Sequence, residues 1–262
     1  MKKFAVTPIS HLMRDGQFLK KMQNRGYLFE GRDHTADLKI RNTILFHSEA
    51  QLIHPWNKSF RLELLSKIKS FKGLKAVSFH AASCNPEAKI VDGIFQRNGR
   101  VLTRKEMIRF AENNVAWLRE EIGSRIEISV ENNNAYQTSA YQTIADPRFL
   151  TEIVVGNGIC FLFDIAHSKI TCQQFGLNWN DYVKNLPLDH CNQLHLSQPK
   201  YIKNKGLRDS HAHPLSRTLR EWVRWVDLPK LRYITIEYYK NAERLYKTLI
   251  CLETLIGKLN HA

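Results

Sequence analysis

Short apolar runs recur along the chain, separated by longer stretches with helical periodicity. Eight of the runs read as strands: Phe4–Pro8, Tyr27–Gly31, Thr43–His47, Ala76–His80, Glu127–Glu131, Cys160–Asp164, Gln193–Leu196 and Tyr233–Glu237. Several are almost unbroken apolar sequences, as expected of strands covered on both faces. Helix signals lie between most of them. Thr103 and Glu106 have the spacing of a capping box. Ile108, Ala111, Val115 and Leu118 then recur at helical intervals, and Gly123 supplies a stop. Asp146 followed by Pro147 opens another helix through Val155, and Asn241–Lys258 reads as a last one. Strands alternating with helices predict a parallel sheet. Eight such strands predict an α/β fold of the (β/α)8 TIM-barrel type, as one domain over residues 1–262. The segment 32–42 is too short for a usual crossover helix, so an irregular corner is expected between the second and third strands.

The polar residues that end these runs carry the chemistry. Six runs finish in a potential metal ligand: His47, His80, Glu131, Asp164, His195 and Glu237. His167 follows Asp164 by one helical turn, and Asp209 and His211 lie in the loop after the His195 strand. The C-terminal strand ends of a barrel open onto one face, so these nine groups are expected to converge. Any one of them alone could be a cap or a loop hydrogen-bonder; nine gathered at or just after the same strand ends predict a metal site. Imidazole and carboxylate without thiolate suit iron, zinc or manganese. Nine groups exceed what one ion uses, so two or three ions bridged by carboxylates are expected. Glu131, Asp164, His195 and Glu237 are the expected catalytic core. Asn132 and Asn134 directly follow Glu131, and His213 lies near the mouth. These are candidates for substrate contacts or for orienting the ligands.

Composition adds a compartment and a class of partner. The chain has 262 residues, 43% of them hydrophobic and 24% charged, enough to bury a full core without disulfide staples. The five cysteines are odd in number and form no CxxC pair, which argues against both a disulfide framework and a thiolate zinc site. No signal peptide and no membrane span is read, so a reducing cytoplasm is the expected setting. The formal charge of +14 favours anionic partners, whether an acidic peptide, a partner protein or nucleic acid. Lys200, Lys203 and Lys205 fall between His195 and Asp209 and are expected to overhang the metal mouth.

The stretches VENNNAY, DPRFLTEIV, FLFDIAHSKI, FGLNWNDYVKNLPLDH and QLHLSQP, with the later DSH and IEYY, resemble the multinuclear non-heme iron-dependent oxidative enzymes. The resemblance runs from about Asn42 to Tyr239. It implies a xylose-isomerase-like barrel and an iron cluster held by His47, His80, Glu131, Asp164, His167, His195, Asp209, His211 and Glu237. It also implies oxidation of a ribosomal peptide, commonly at cysteine, with a small partner that presents the peptide.

A second family has similar ligand types in a similar order: endonuclease IV, a DNA-repair barrel with three zinc ions. The positive charge would suit it. The first histidine strands lack its H-P-G, however, and DSHAHPL lacks its H-I-G-E-G run. A sugar isomerase of the same barrel class is a further alternative.

Overall fold

The computed structural model describes residues 2–35, 37–38, 40–212 and 227–261. Eight strands close into a parallel barrel: β1 (Phe4–Pro8), β2 (Leu28–Arg32), β3 (Thr43–Gln51), β4 (Ala76–Ala81), β7 (Glu127–Asn132), β8 (Cys160–Asp164), β9 (Cys191–Leu196) and β12 (Tyr233–Ile236). Neighbours in the ring follow chain order, and β12 closes it against β1. The eight strands read from the sequence are these eight, with ends shifted by a few residues. Two short antiparallel hairpins lie outside the ring. They are β5 (Lys89–Val91) with β6 (Ile94–Gln96), and β10 (Lys200–Ile202) with β11 (Gly206–Arg208).

Helices α1 (Gly16–Asn24), α2 (Lys58–Ser70), α3 (Arg104–Ile122), α4 (Pro147–Asn157), α5 (Ile165–Phe175) and α6 (Trp179–Lys184) flank the ring, with a further helix at Ala242–His261. The capping box of Thr103 and Glu106 starts α3, and Gly123 ends it. Asp146 caps α4 ahead of Pro147. Between β2 and β3 the described residues hold only a 3-10 turn at Asp33–Thr35, and the β2–β3 register shifts between Phe29 and Glu30. The expected irregular corner is therefore real.

Alternation along the strands divides the core in two. Outward residues such as Phe46, Val77, Phe79, Val130, Phe163 and Leu194 join the helix faces in one large apolar cluster. Each fully buried Phe or Leu contributes roughly 1.5–3 kcal/mol, so this outer layer stabilises the barrel and leaves the inner face free for polar groups. A separate small cluster of Val6, Leu45, Ala76 and Tyr233 plugs the lower end of the ring. Above it the lining turns polar: Ser129 bonds Asn192 at 3.1 Å, and Gln193 bonds Thr235 at 2.9 Å. The strand-end His and carboxylate residues form the next level up. Among the described residues no helix is long and apolar enough to cross a membrane.

Gly31 locks the short corner in place. A Cβ at this position would lie 2.6 Å from Cζ of Phe71, the residue that ends α2. Gly31→Ala should therefore destabilise the protein by roughly 1–3 kcal/mol through overpacking, read as a lower Cm in urea. Adding Phe71→Leu should recover part of the loss. An unchanged Cm in the single variant would contradict this packing.

Candidate metal centre

Each strand-end residue reaches the mouth because the residue two before it faces inward as well. Ser78 and His80 on β4, Ser129 and Glu131 on β7, Gln193 and His195 on β9 follow this period of two, which continues past β12 from Thr235 to Glu237. Asp164 has two roles. It ends β8 and caps α5, where Oδ1 accepts the His167 backbone N–H at 2.6 Å. That sharp turn brings His167 to the mouth, with Nδ1 3.0 Å from the Asn132 carbonyl. His211 has φ 47, a left-handed conformation rare for a non-glycine residue and common where a site constrains the backbone. Its ring stacks on Tyr239 at 5.1 Å.

The nine candidate ligands converge around Glu131. His47 Nε2 lies 2.9 Å from His80 Nε2 and 3.4 Å from Glu131 Oε2. His195 Nδ1 is 3.0 Å from Glu131 Oε1 and 3.4 Å from Glu237 Oε1. His167 Nε2 and His211 Nε2 face Asp209 Oδ2 at 3.3 and 2.6 Å, and His211 Nδ1 is 3.3 Å from Glu237 Oε2. Ligand atoms of His47, His80 and Glu131 lie within 4.8 Å of one another, as do those of Glu131, Asp164 and His195. The centre sits under a cavity of about 410 Å³ lined also by Arg32, Asn133 and Asn134.

The pattern of satisfied and orphaned atoms fits metal. Buried atoms without a hydrogen-bond partner include both oxygens of Glu131, Asp164 Oδ2, His195 Nδ1, Asp209 Oδ1 and His211 Nδ1. Buried polar atoms are rarely left so, and these all point into the cluster. The opposite atoms of the same groups are tied down. His47 Nδ1 meets the Ser78 hydroxyl at 2.8 Å, and His195 Nε2 meets Glu30 Oε2 at 3.1 Å. A second partner of this kind fixes which ring nitrogen a metal meets. Nitrogen and oxygen donors with no thiolate suit iron, zinc or manganese alike.

Sequence reasoning missed four residues of this site: Glu30, Arg32, Asn133 and Gln193. Glu30 and Arg32 lie at the end of β2, where the strand-end rule would have found them had that strand been followed to Arg32. Both are buried. Arg32 Nη2 donates to Glu30 Oε1 at 2.6 Å and also to Glu237. Gln193 donates to Glu30. Although Glu30, His195 and Glu237 also cluster within 4.8 Å, Glu30 is fully engaged by these donors and sits against a guanidinium. It is better suited to orient His195 than to bind a cation. Asn133 Nδ2 lies 2.9 Å from His80 Nδ1.

The remaining sequence candidates fall in different places. Asn132 does not line the cavity. It clamps β7 to β8 through Asp164, donating to its carbonyl at 2.9 Å and accepting its N–H at 2.8 Å. Asn134 lines the cavity. Lys200 is exposed on β10 and away from the cavity lining, and Lys205 pairs with Asp92 at 3.1 Å. His213 lies outside the described residues.

Charge explains the protonation of the metal-free protein. Of the five carboxylates Glu30, Glu131, Asp164, Asp209 and Glu237, only Glu30 and Glu237 pair with the guanidinium of Arg32, while the other three face His195 or His167. Burial lowers the basicity of His195, but Glu30 and Glu237 outweigh it and hold the ring protonated well above the usual range. His167 follows the same pattern through Asp164 and Asp209. Burial keeps His47 neutral, with Arg32 adding to the effect. Burial lifts Asp164 to about 7 against the pull of His167. It also opposes ionisation of Glu237, but His195, Arg32 and His211 prevail and hold that carboxyl at about 2.

Two expectations follow from this wiring. Metal must displace the protons on His167 and His195, so binding should release protons and affinity should rise with pH. Calorimetry in two buffers of unlike ionisation enthalpy reads this directly, and zero protons released would contradict the charge assignment. Glu30→Gln should weaken metal retention about 10- to 100-fold in chelator competition while leaving the far-UV spectrum unchanged. Retention equal to wild type would remove Glu30 from the site.

Residues 68–226, more than half of the chain, match the family described as RiPP precursor modification enzyme MbnB/TglH/ChrH. A UPF0276 protein of Vibrio parahaemolyticus is 24% identical over 116 residues, 43% of this chain and 40% of that protein. The match therefore spans about two-fifths of that relative's length. Among solved structures, a D-tagatose 3-epimerase-like protein has a TM-score of 0.55 at 14% identity, over 100% of this chain and 99% of that one. SacUVDE has a TM-score of 0.55 at 13% identity, over 97% and 99%. At such identities the likeness concerns the fold alone, a TIM barrel. Taken with the extent of the profile match, the sequence places this chain in the MbnB/TglH/ChrH family of RiPP precursor modification enzymes.

Proposed function

We propose that this protein is a multinuclear iron-dependent oxidase or oxygenase that modifies a ribosomal peptide, at cysteine, with dioxygen as the oxidant. The observation that carries the reading is the set of orphaned buried donor atoms around Glu131, in a chain whose family modifies peptide precursors. His47, His80 and Glu131 would hold one ion. Glu131, Asp164, His195 and Glu237 would hold a second. His167, Asp209 and His211 offer a third position, with the Glu131 carboxylate shared. Iron supplies the redox capacity between a substrate thiol and dioxygen that side chains lack.

The chain's own residues account for the rest. Arg32 offsets part of the carboxylate charge and holds Glu237 from the side away from His211. Tyr239 lies 3.5 Å from Glu237 Oε1 and can donate to it. Asn133, Asn134 and Gln51 line the cavity and can bond the backbone of an entering peptide. The apolar ring below, with Leu45 and Tyr233, excludes water from beneath the site.

The test uses protein purified without oxygen and reconstituted with ferrous iron. Wild type should consume oxygen in the presence of a cysteine-containing peptide and change that peptide's mass. A serine analogue should remain unchanged. His195→Ala should lose at least a hundredfold of the rate, as expected when a ligand is removed from the metal. Zinc-loaded protein that cleaves abasic DNA at catalytic rates, with no oxygen uptake by the iron form, would overturn the reading.

A further inference from the structure

The two hairpins outside the barrel have no part in the metal site, yet both stand at its mouth. β5–β6 follows β4, and its Ile90 and Phe95 line the cavity. β10–β11 follows β9 and leads directly into Asp209. Their turns meet, with Lys205 Nζ 3.1 Å from Asp92 Oδ2. They thus form a continuous rim on one side of the opening.

The composition of this rim is unlike that of a solvated loop. Among the described residues, four of the ten exposed large hydrophobic side chains sit on its two outer strands. Ile90 is 65% exposed, Val91 56%, Tyr201 67% and Ile202 37%. Segments 85–100 and 200–208 together carry seven lysines and arginines against two acids, Glu87 and Asp92. Asp92 is already engaged by Lys205. Lys89, Lys200 and Lys203 are exposed and form no ion pair among the described residues. Lysine alone on an edge strand is a common guard against unwanted pairing. Lysine beside consecutive Ile, Val and Tyr residues is not, because that arrangement leaves apolar side chains in water beside unpaired backbone groups. Each hairpin has only two strands, so each keeps edges with no strand partner among the described residues.

We propose that the two hairpins form a docking ledge for an extended acidic peptide segment, continuous with the residue that enters the cavity. The segment would lie along β5 or β10 as an added strand, which supplies main-chain hydrogen bonds. Its apolar side chains would cover Ile90, Val91 and Tyr201, and its carboxylates would meet Lys89, Lys200 and Lys203. Nucleic acid fits less well, since Ile90, Val91 and Ile202 offer no stacking surface and one tyrosine is the sole aromatic on the outer strands. The inference rests on the reading of the cavity as a place where a peptide is modified, but the ledge binds without any turnover.

The test is therefore a binding measurement on metal-free protein. The probe is a fluorescein-labelled synthetic peptide of alternating glutamate and valine with one cysteine. Controls are the same peptide with lysine for glutamate, and a single-stranded oligonucleotide. Wild type should bind the acidic probe, more weakly as salt rises. Lys200→Glu with Lys203→Glu should weaken binding roughly tenfold and flatten the salt dependence. Ile90→Ser with Tyr201→Ser should weaken it by a similar factor and leave the salt dependence intact. Both double variants change exposed side chains, and an unchanged melting temperature confirms their folding. No binding of the acidic probe, wild-type affinity in either double variant, or tighter binding of the lysine peptide or the oligonucleotide overturns the ledge. Probe binding lost in these variants, in a protein that consumes no oxygen, would support the ledge while the oxidase reading fails.

Discussion

Buried negative charge is the constraint on which the rest of the molecule depends. Glu131, Asp164 and Glu237 are almost fully buried around His195, with Glu30 against the same ring and Asp209 against His167. Isolated carboxylates cannot remain ionised in such surroundings without compensating charge. One arginine supplies part of it, and protonated His167 and His195 supply more in the metal-free protein. Metal cations would complete the compensation and satisfy the oxygens of Glu131, which lack a well-aligned hydrogen bond.

A parallel barrel can carry this charge because its two faces are independent. The outward residues bury Phe46, Phe79, Phe163 and their neighbours against the helices. The inward face can then change from Leu45 and Ala76 at the bottom, through Ser78 and Ser129, to His47, His80 and Glu131 at the top. Side-chain positions are fixed by strand register. His80 pairs with Glu131 and Asp164 with His195 across adjacent strands, so these four candidate ligands are set by backbone geometry rather than by loops. The β2–β3 corner departs from this regularity and is also where the arginine enters. Its Glu30 and Arg32 flank a glycine that lets Phe71 pack against the strand.

Most of this architecture was legible in the sequence because burial on both faces leaves a simple mark, an apolar run ended by one polar residue. That mark located six of the eight barrel strands and the convergence of His47, His80, Glu131, Asp164, His195 and Glu237. It did not reveal Glu30 and Arg32, because the run at β2 is broken by polar residues and the strand was ended one residue early, at Gly31. The hairpins left no mark either. Strands of three residues are too short for a period, and Ile90 and Tyr201 are exposed rather than packed in the core. Asn132 shows a different limit: adjacency to Glu131 suggested a place in the mouth, but the pleat turns its side chain toward Asp164.

X-ray absorption at the iron edge, on protein reconstituted anaerobically, tests the central claim most directly. The account predicts first-shell scattering from nitrogen and oxygen alone, and an iron–iron vector of about 3.5–4 Å, the separation usual for ions bridged by a carboxylate. The Glu131→Gln variant should lose that vector. A single isolated ion with no metal–metal scattering, or an iron–iron vector that persists without the Glu131 carboxylate, would contradict it.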